Sequence, residues 1–537
     1  MPKNAAIYYE AECYDTHQEF LMGRNAAGEG FLRGFVKHSG VDKFYCHAGD
    51  LMAFGKQMTD LSGAESIEIE EIKIGEAHRL SEVGCLYVPD PRLSEHAWRR
   101  WQSGADYSLC GVTHTLCSIT AMDAVVASMM APCMPWDALV CTSKCAKNVV
   151  DRLYEAQHEY IDRRFGAENS FASVVPQTPV IPLGVDCSLY EHSDEHRKVW
   201  RERLNIKDED FVFLNFGRLS YHAKSNPLPM FDALEQVAKD SDKKIYLILA
   251  GWFADPRIAS DFQYAAMELC PSVNIRVVDG RAPDARFEIW SAADAFISLS
   301  DNYQETFGLV LLEAMAAGLP VIASNWSGYQ DIVVQGETGL LVQVLANDEA
   351  ATGNNLIQRY SNGEIDYDHY IGYLSQFVGV SIGDTVQACR ALVSDAGLCK
   401  RLGDFGRARA LAHYDWSAII TQYQELWADL AKMRFTSRRV SPSRRPARLD
   451  PYQLFEGYSC ERFSTCAVRP DAEELVEKRR KLGIVSFAES ELPCQETVQE
   501  LLKYLRTDDI GYALSHAKGA RQRDLIWLHK IGAIELK

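Results

Sequence analysis

The 537-residue chain contains no run of roughly 18 uncharged apolar residues, so it is not expected to cross a bilayer as a helix. Its first residues, Met1 to Ile7, lack a charged start leading into a long apolar stretch, and no secretion signal is expected there. Positive charge is in short supply: 56 lysines and arginines face 74 acidic residues, a formal net charge of -18 at pH 7. Such a surface repels a phosphate backbone at long range, which argues against bulk nucleic-acid binding as the main task. Fifteen cysteines, an odd number scattered from Cys13 to Cys494, make no framework of pairs in a chain this long and read as reduced thiols. Together these absences point to a cytoplasmic protein.

Recognisable metal sites are lacking too. Cys110, His114 and Cys117 stand across a strand-to-helix junction without a fourth ligand, and Cys460, Cys466 and Cys494 in the tail form no better set. The Asp-x-Asp triplets that start at Asp240 and Asp366 do not follow a buried strand. No catalytic metal ion is therefore expected, no side chain is marked as a nucleophile, and no fixed-period repeat is present.

What the chain does have is a repeated alternation. It is 47% hydrophobic and too long for one core. Short apolar runs separated by helical stretches begin at "AAIYYE" (Ala5), "KFYCHAG" (Lys43), "CLYVPD" (Cys85), "SLCGVTH" (Ser108), "DALVCTS" (Asp137) and "PVIPLG" (Pro179). Parallel sheets covered on both faces need such runs. The series restarts at "FVFLNFGR" (Phe211), "KIYLILAG" (Lys244), "NIRVVDG" (Asn274), "AFISLS" (Ala295) and "PVIAS" (Pro320). The expectation is an α/β chain of two Rossmann-like, doubly wound domains facing a cleft, residues 1–190 and 191–434, the second with a mixed helical insertion at 346–380. A proline-containing basic linker at 435–450 follows, then a small, mainly helical appendage at 451–537. The helix-turn-helix pattern in that appendage superficially suggests a winged helix and is read as a plain helical unit.

One stretch carries chemistry. In "SDNYQETFGLVLLEAMAAGLPVIAS", from Ser300, the segment from Phe307 to Ala317 is apolar except for Glu313, and Glu305 stands eight positions earlier. A buried carboxylate is costly without partners, so Glu313 needs either a core arginine or the hydroxyls of a ligand. Thr306 is expected near the N-cap, with the amides of Phe307, Gly308 and Leu309 presented to an oxygen-rich group. Helical rise then sets Glu313 about 12 Å beyond Glu305. Gly318 and Pro320 end the helix.

With seven residues between its two glutamates, and through the whole stretch from Ser291 to Val342, the sequence resembles the retaining, GT-B fold glycosyltransferases of family four. The resemblance implies that Glu305 lies beside the transferred sugar, that Phe307, Gly308 and Leu309 offer amides to sugar and phosphate, and that Glu313 holds the ribose. It puts the phosphate-binding cations on Arg218 and Lys224 in "FGRLSYHAK", with a spacing one residue longer than in many relatives. The nucleobase loop falls on "VVDGRAP", where Arg281 is a candidate. In the first domain it brings Gly28 and Gly30 of "GRNAAGEGFLRGF" toward donor and acceptor, and His114 toward the donor sugar.

A nucleotide diphosphate sugar is implied as co-substrate, with no separate cofactor. The acceptor would be a glycan, a lipid-linked or a small molecule, in glycan, polysaccharide or glycolipid synthesis. The competing readings are an epimerase or phosphorylase of the same fold, and a non-catalytic sugar-nucleotide scaffold. Six arginines from Arg434 to Arg448 offer a peripheral contact with anionic lipid at the inner face of a membrane. Oligomeric state is left open.

Overall fold

A computed structural model of the chain describes residues 3–16, 23–166, 175–347, 350–437, 444–458 and 463–537. Arg438 and Arg439 of the basic stretch, and Cys460, lie outside the described residues. Two compact units are present, Met1–Arg445 and Pro446–Lys537, so the division falls inside the expected linker.

The first unit contains two six-stranded sheets. In the first, strands β1 (Ala6–Tyr8), β2 (Lys43–His47), β3 (Glu68–Ile72), β4 (Cys85–Val88), β5 (Ser108–Val112) and β6 (Ala138–Val140) pair in the order β3-β2-β1-β4-β5-β6. In the second, β7 (Phe211–Arg218), β8 (Ile245–Trp252), β9 (Asn274–Asp279), β10 (Ala295–Ser298), β11 (Val321–Ser324) and β12 (Gly339–Val342) pair in the order β12-β11-β10-β7-β8-β9. Every ladder in both is parallel; Ala6 pairs with Tyr45 and Leu86, and Phe296 with Leu214 and Val321. The four-residue strands β4, β10 and β11 are buried along their whole length, because helices cover both faces.

In both sheets the chain reverses direction across the sheet beside its first strand, between β1 and β4 and again between β7 and β10. Ligands of wound sheets bind outside the carboxyl ends of the strands at such a reversal. Loops from the two carboxyl edges touch: Ser143, after β6, donates from Oγ to the Thr306 carbonyl at 2.7 Å, and the Lys144 amide donates to Asp331 Oδ2 at 2.8 Å. This is the GT-B architecture that the resemblance implies.

Three elements differ from the expectation. Strand β3, "EIEEI", carries three glutamates and was absent from the apolar series; it is a sheet edge whose acids meet Lys43 and Arg79. The run at Pro179 forms no strand and adds only a single bridge, Cys141 to Val180. The last helix of the 191–434 segment, Trp416–Thr436, packs in the core of the first half. Its Tyr423 and Trp427 meet Phe31 and Phe35 at ring separations of 5.3 and 5.8 Å. Trp416 lies against Gly30, Gly34 and Gly184, where any Cβ would crowd the indole. The boundary at 434 is therefore corrected: this helix crosses back and ties the halves together.

The insertion holds helices Ala350–Ser361 and Tyr367–Ser375, closed at its base by an antiparallel pair, β13 (Val344–Ala346) and β14 (Val378–Val380). The second unit has helices Ala472–Arg480, Gln495–Leu505, Ile510–His516 and Gln522–Lys530, with β15 (Cys466–Val468) antiparallel to β16 (Ile534–Leu536). Leu501, Leu502, Leu525 and Leu528 fill its core. Among the described residues no helix is long and apolar enough to cross a membrane.

Candidate functional site

The carboxyl ends of β7 and β10 flank the reversal of the second sheet. Arg218 ends β7, and the loop after it reaches Lys224; the loop after β10 carries Asp301, Gln304 and Glu305. The two loops are stitched together. Lys224 Nζ pairs with Glu305 Oε2, Ser300 Oγ donates to the Lys224 carbonyl at 3.2 Å, and Asn302 Nδ2 donates to the His222 carbonyl at 2.8 Å. Arg218 Nη2 and Gln304 Nε2 both donate to the Ala223 carbonyl.

Burial opposes the Lys224 charge, but the Glu305 carboxylate outweighs it and holds the ammonium pKa above the usual lysine value. Burial lowers the Arg218 pKa, with Asp368, Tyr367 and Glu305 acting against it. Asp301 is 3% exposed, and burial pushes its pKa up to about 7 although the Asn226 amide donates to both of its oxygens.

The helix of the central motif starts later than expected. It runs Leu309–Ala316, and its N-cap is Gly308, not Thr306. Gly308 has φ 113°, and a Cβ there would overlap the Tyr329 ring, so both backbone and space require glycine. Thr306 instead gives its carbonyl to Ser143, and Phe307 is buried beside Tyr414. Glu305 consequently lies in the preceding loop, and the expectation of two acids on one helix is corrected. The Glu305 carbonyl accepts from Ser327 Oγ at 2.5 Å, and Ser327 itself has φ 48°.

Glu313 is on that helix and meets a neutral donor: Tyr190 OH lies 2.9 Å from its Oε1. Burial raises the Glu313 pKa, while Tyr190, Arg286 and Lys224 act to lower it. Among the described residues no cation is within ion-pair distance of Glu313, so the core salt bridge is not the arrangement found. Arg286 Nη2 stands 4.0 Å from Glu29 of the first half, a further contact between the halves.

The remaining expected residues each have protein neighbours of their own. Gly28 and Gly30 are inside the helix Gly23–His38, not in a loop before it; a Cβ at Gly28 would overlap the Cys13 carbonyl, and one at Gly30 would sit 3.0 Å from the Trp416 ring. Protein fills the space beside both, so their glycines serve packing in this structure. His114 Nε2 donates to the Pro89 carbonyl at 2.9 Å, and burial lowers its pKa. Arg281, after the edge strand β9, binds Asp279 and lies over Trp252. A cavity of about 710 Å³ lined by Asp210, Lys243, Asp294, Pro320 and Arg407 sits at the amino ends of the strands, opposite this site.

Sequence reasoning missed Tyr190, Asp301, Gln304 and Tyr367. Asp301 had a signal, an acid directly after an apolar strand; Tyr190, at the boundary between the two expected domains, had none.

Residues 196–372 match the family model described as glycosyl transferases group 1. The D-inositol 3-phosphate glycosyltransferase of Corynebacterium glutamicum (strain R) is 33% identical over 166 residues, 30% of this chain and 39% of that protein. The alpha-monoglucosyldiacylglycerol synthase of Streptococcus pneumoniae is 33% identical over 147 residues, 27% of this chain and 32% of that protein. The chain thus spans about two fifths of the length of the first of these relatives. The crystal structure of Anabaena HepE with UDP and glucose superposes with a TM-score of 0.51 at 16% identity, over 79% of this chain and 100% of that one. At that identity the likeness is one of fold.

Proposed function

We propose that this chain, whose residues 196–372 belong to the glycosyl transferases group 1 family, transfers a sugar from a nucleotide diphosphate donor to an acceptor hydroxyl with retention of configuration. The observation that carries the reading is the Lys224–Glu305 pair across the β7/β10 reversal, with Arg218 beside it. A diphosphate entering there takes Lys224 and Arg218 as counter-charges, and the first-turn amides of the helix Leu309–Ala316 add donors. Glu305, released from Lys224, turns its oxygens to the sugar hydroxyls. Glu313, aligned by Tyr190, accepts from the two ribose hydroxyls.

Charge grows on the departing diphosphate as the glycosidic bond breaks, and fixed cations that meet it there lower the barrier. Arg218 and Lys224 fill that role without a divalent ion. The leaving phosphate oxygen takes the acceptor's proton on the face it departs from, which gives retention without a protein nucleophile.

A thermal-shift screen of nucleotide sugars, followed by nucleotide release with candidate acceptors, tests the proposal. The expected result is a stabilising donor whose nucleoside diphosphate is released only with acceptor or water. Conversion of the donor sugar with no release would indicate an epimerase, and dependence on inorganic phosphate a phosphorylase.

A further inference from the structure

Before any donor arrives, the charges at the β7/β10 reversal already balance. Arg218 and Lys224 face two carboxylates, Glu305 on the loop after β10 and Asp368 in the first turn of the insertion helix Tyr367–Ser375. A diphosphate entering there brings negative charge and gains more as the sugar departs, with no surplus of fixed cations to meet it. The side chain placed to supply a further cation is His222.

The segment from Arg218 to Lys224, one residue longer than in many relatives, carries this histidine. Its backbone is pinned: the carbonyls of His222, Ala223 and Lys224 accept from Asn302 Nδ2, Arg218 Nη2 and Ser300 Oγ at 2.8, 3.1 and 3.2 Å. The insertion closes over it, since a Cβ at Gly372 would sit 3.0 Å from His222 Cβ. The His222 side chain is 28% exposed, with Nδ1 3.3 Å from Ser220 Oγ and Nε2 3.8 Å from Asp368 Oδ2.

Asp368 links this ring to Arg218. Among the described residues His222 is the only basic side chain within ion-pair distance of Asp368, and Arg218 has no carboxylate within that distance. His222 first, and Arg218 more weakly, hold the Asp368 carboxyl below its usual value against burial. Arg218 is thus open to a phosphate, with an imidazole held by the carboxylate that it senses most strongly. An anion added beside a ring that already has Asp368 for a neighbour favours the charged form of that ring.

We propose that His222 is a further phosphate-binding residue of the transfer site: its imidazole takes up a proton as the diphosphate binds and donates a hydrogen bond to it, with Asp368 as the positioning residue. This rests on the transfer reading, because it needs the diphosphate on Arg218.

Other titratable groups face the same region. Burial pushes the Tyr367 phenol and the Cys117 thiol up, so both stay neutral near pH 7. Lys224 pairs with Glu305, and His369 with Asp366 on the insertion. Asp301, its pKa pushed up to about 7, meets the Asn226 amide at the end of the same loop, and His114 precedes Thr115, which meets Tyr367. All of these remain when His222 is replaced, so a difference between the proteins isolates its ring.

The test uses the full chain and whichever of UDP, GDP and ADP binds it most tightly, with the matching monophosphate. Calorimetry at pH 7.5 in two buffers of unlike ionisation enthalpy counts the protons taken up on binding, and the nucleotide's own ionisation is common to all the proteins compared. Wild type is expected to take up more protons than His222→Gln. Diphosphate affinity should fall about tenfold in that variant, as for one charge-assisted hydrogen bond, with monophosphate affinity unaltered. His222→Lys, charged beforehand, should recover diphosphate affinity without the proton uptake. Asp368→Asn, which removes a repulsive charge, should strengthen diphosphate binding more in the His222→Gln background than in wild type; equal effects in the two would overturn the positioning role. Melting temperatures check that each variant is folded.

Equal diphosphate affinity and equal proton uptake in wild type and His222→Gln would overturn the assignment of His222, while weakening by Arg218→Ala would still support the transfer reading. Equal loss of diphosphate and monophosphate affinity would overturn it as well, marking His222 as a support of the loop. No binding of any of the three diphosphates to wild type would contradict the transfer reading and this proposal with it.

Discussion

The Tyr367 hydroxyl stands 3.0 Å from Cys117 Sγ, joining the insertion of the second half to the loop after β5 of the first. The same hydroxyl reaches Thr115 Oγ1 at 3.3 Å and Gln304 Oε1 at 3.4 Å, next to Glu305. Its neighbour Asp368 lies 3.8 Å from His222, in the loop that carries Lys224. The insertion therefore links closure of the halves to the geometry of the proposed phosphate loop. Tyr367→Phe removes hydrogen bonds worth about 0.5–1.5 kcal/mol, so kcat/KM should fall roughly two- to tenfold with nucleotide affinity little changed. Steady-state nucleotide release, beside calorimetry, measures both.

Gly308→Ala should be severe. The side chain meets the Tyr329 ring and the backbone is held at φ 113°. A loss of about 1–3 kcal/mol is expected from the backbone conformation alone, with the ring overlap added to it. Thermal melting reports the cost. Adding Tyr329→Ala should recover the overlap and not the backbone share.

Asp301 predicts a pH effect of defined sign. Its folded pKa, about 7, lies above the ordinary value of 3.8, so the fold binds a proton that the unfolded chain has released between those limits. Stability contributed by this group is thus present at low pH and falls as pH rises from about 4 to 7. Asp301→Asn keeps an acceptor for the Asn226 amide and cannot ionise. Denaturant melts at pH 5 and pH 8 should show a wild-type loss of about 1–3 kcal/mol that shrinks in the variant.

The fold was legible where burial is two-sided. Strands such as "CLYV" and "AFIS" announce themselves because they are almost wholly apolar, and their repetition gives two wound sheets. Strand β3 hid because an edge can carry glutamates, and the helix Trp416–Thr436 was placed in the wrong half because its own pattern does not say which sheet it covers. The site was legible as residue types: Arg218, Lys224 and Glu305 do meet at one reversal. Its local geometry was not, since one left-handed glycine moves the helix start and takes Glu305 off the helix. Partners far away in sequence, Tyr190 for Glu313 and Cys117 for Tyr367, leave no local pattern.

Glu305→Gln separates binding from transfer. Neutralising the acid frees Lys224, so affinity for a nucleoside diphosphate should hold or rise, while turnover of the sugar donor falls about a hundredfold or more, the scale of losing a transition-state contact. Parallel loss of both would mean that Glu305 only supports the loop.

The central claim is that a nucleoside diphosphate lies at the β7/β10 reversal with its phosphates on Arg218. The direct measurement is the calorimetric Kd of UDP, and of GDP and ADP in parallel, for wild type and Arg218→Ala. At least one nucleotide should bind the wild type and weaken by about ten- to a hundredfold in the variant, the share of a charge-assisted bidentate contact. Equal affinity in the two proteins, or no binding of any of the three to the wild type, would contradict the account.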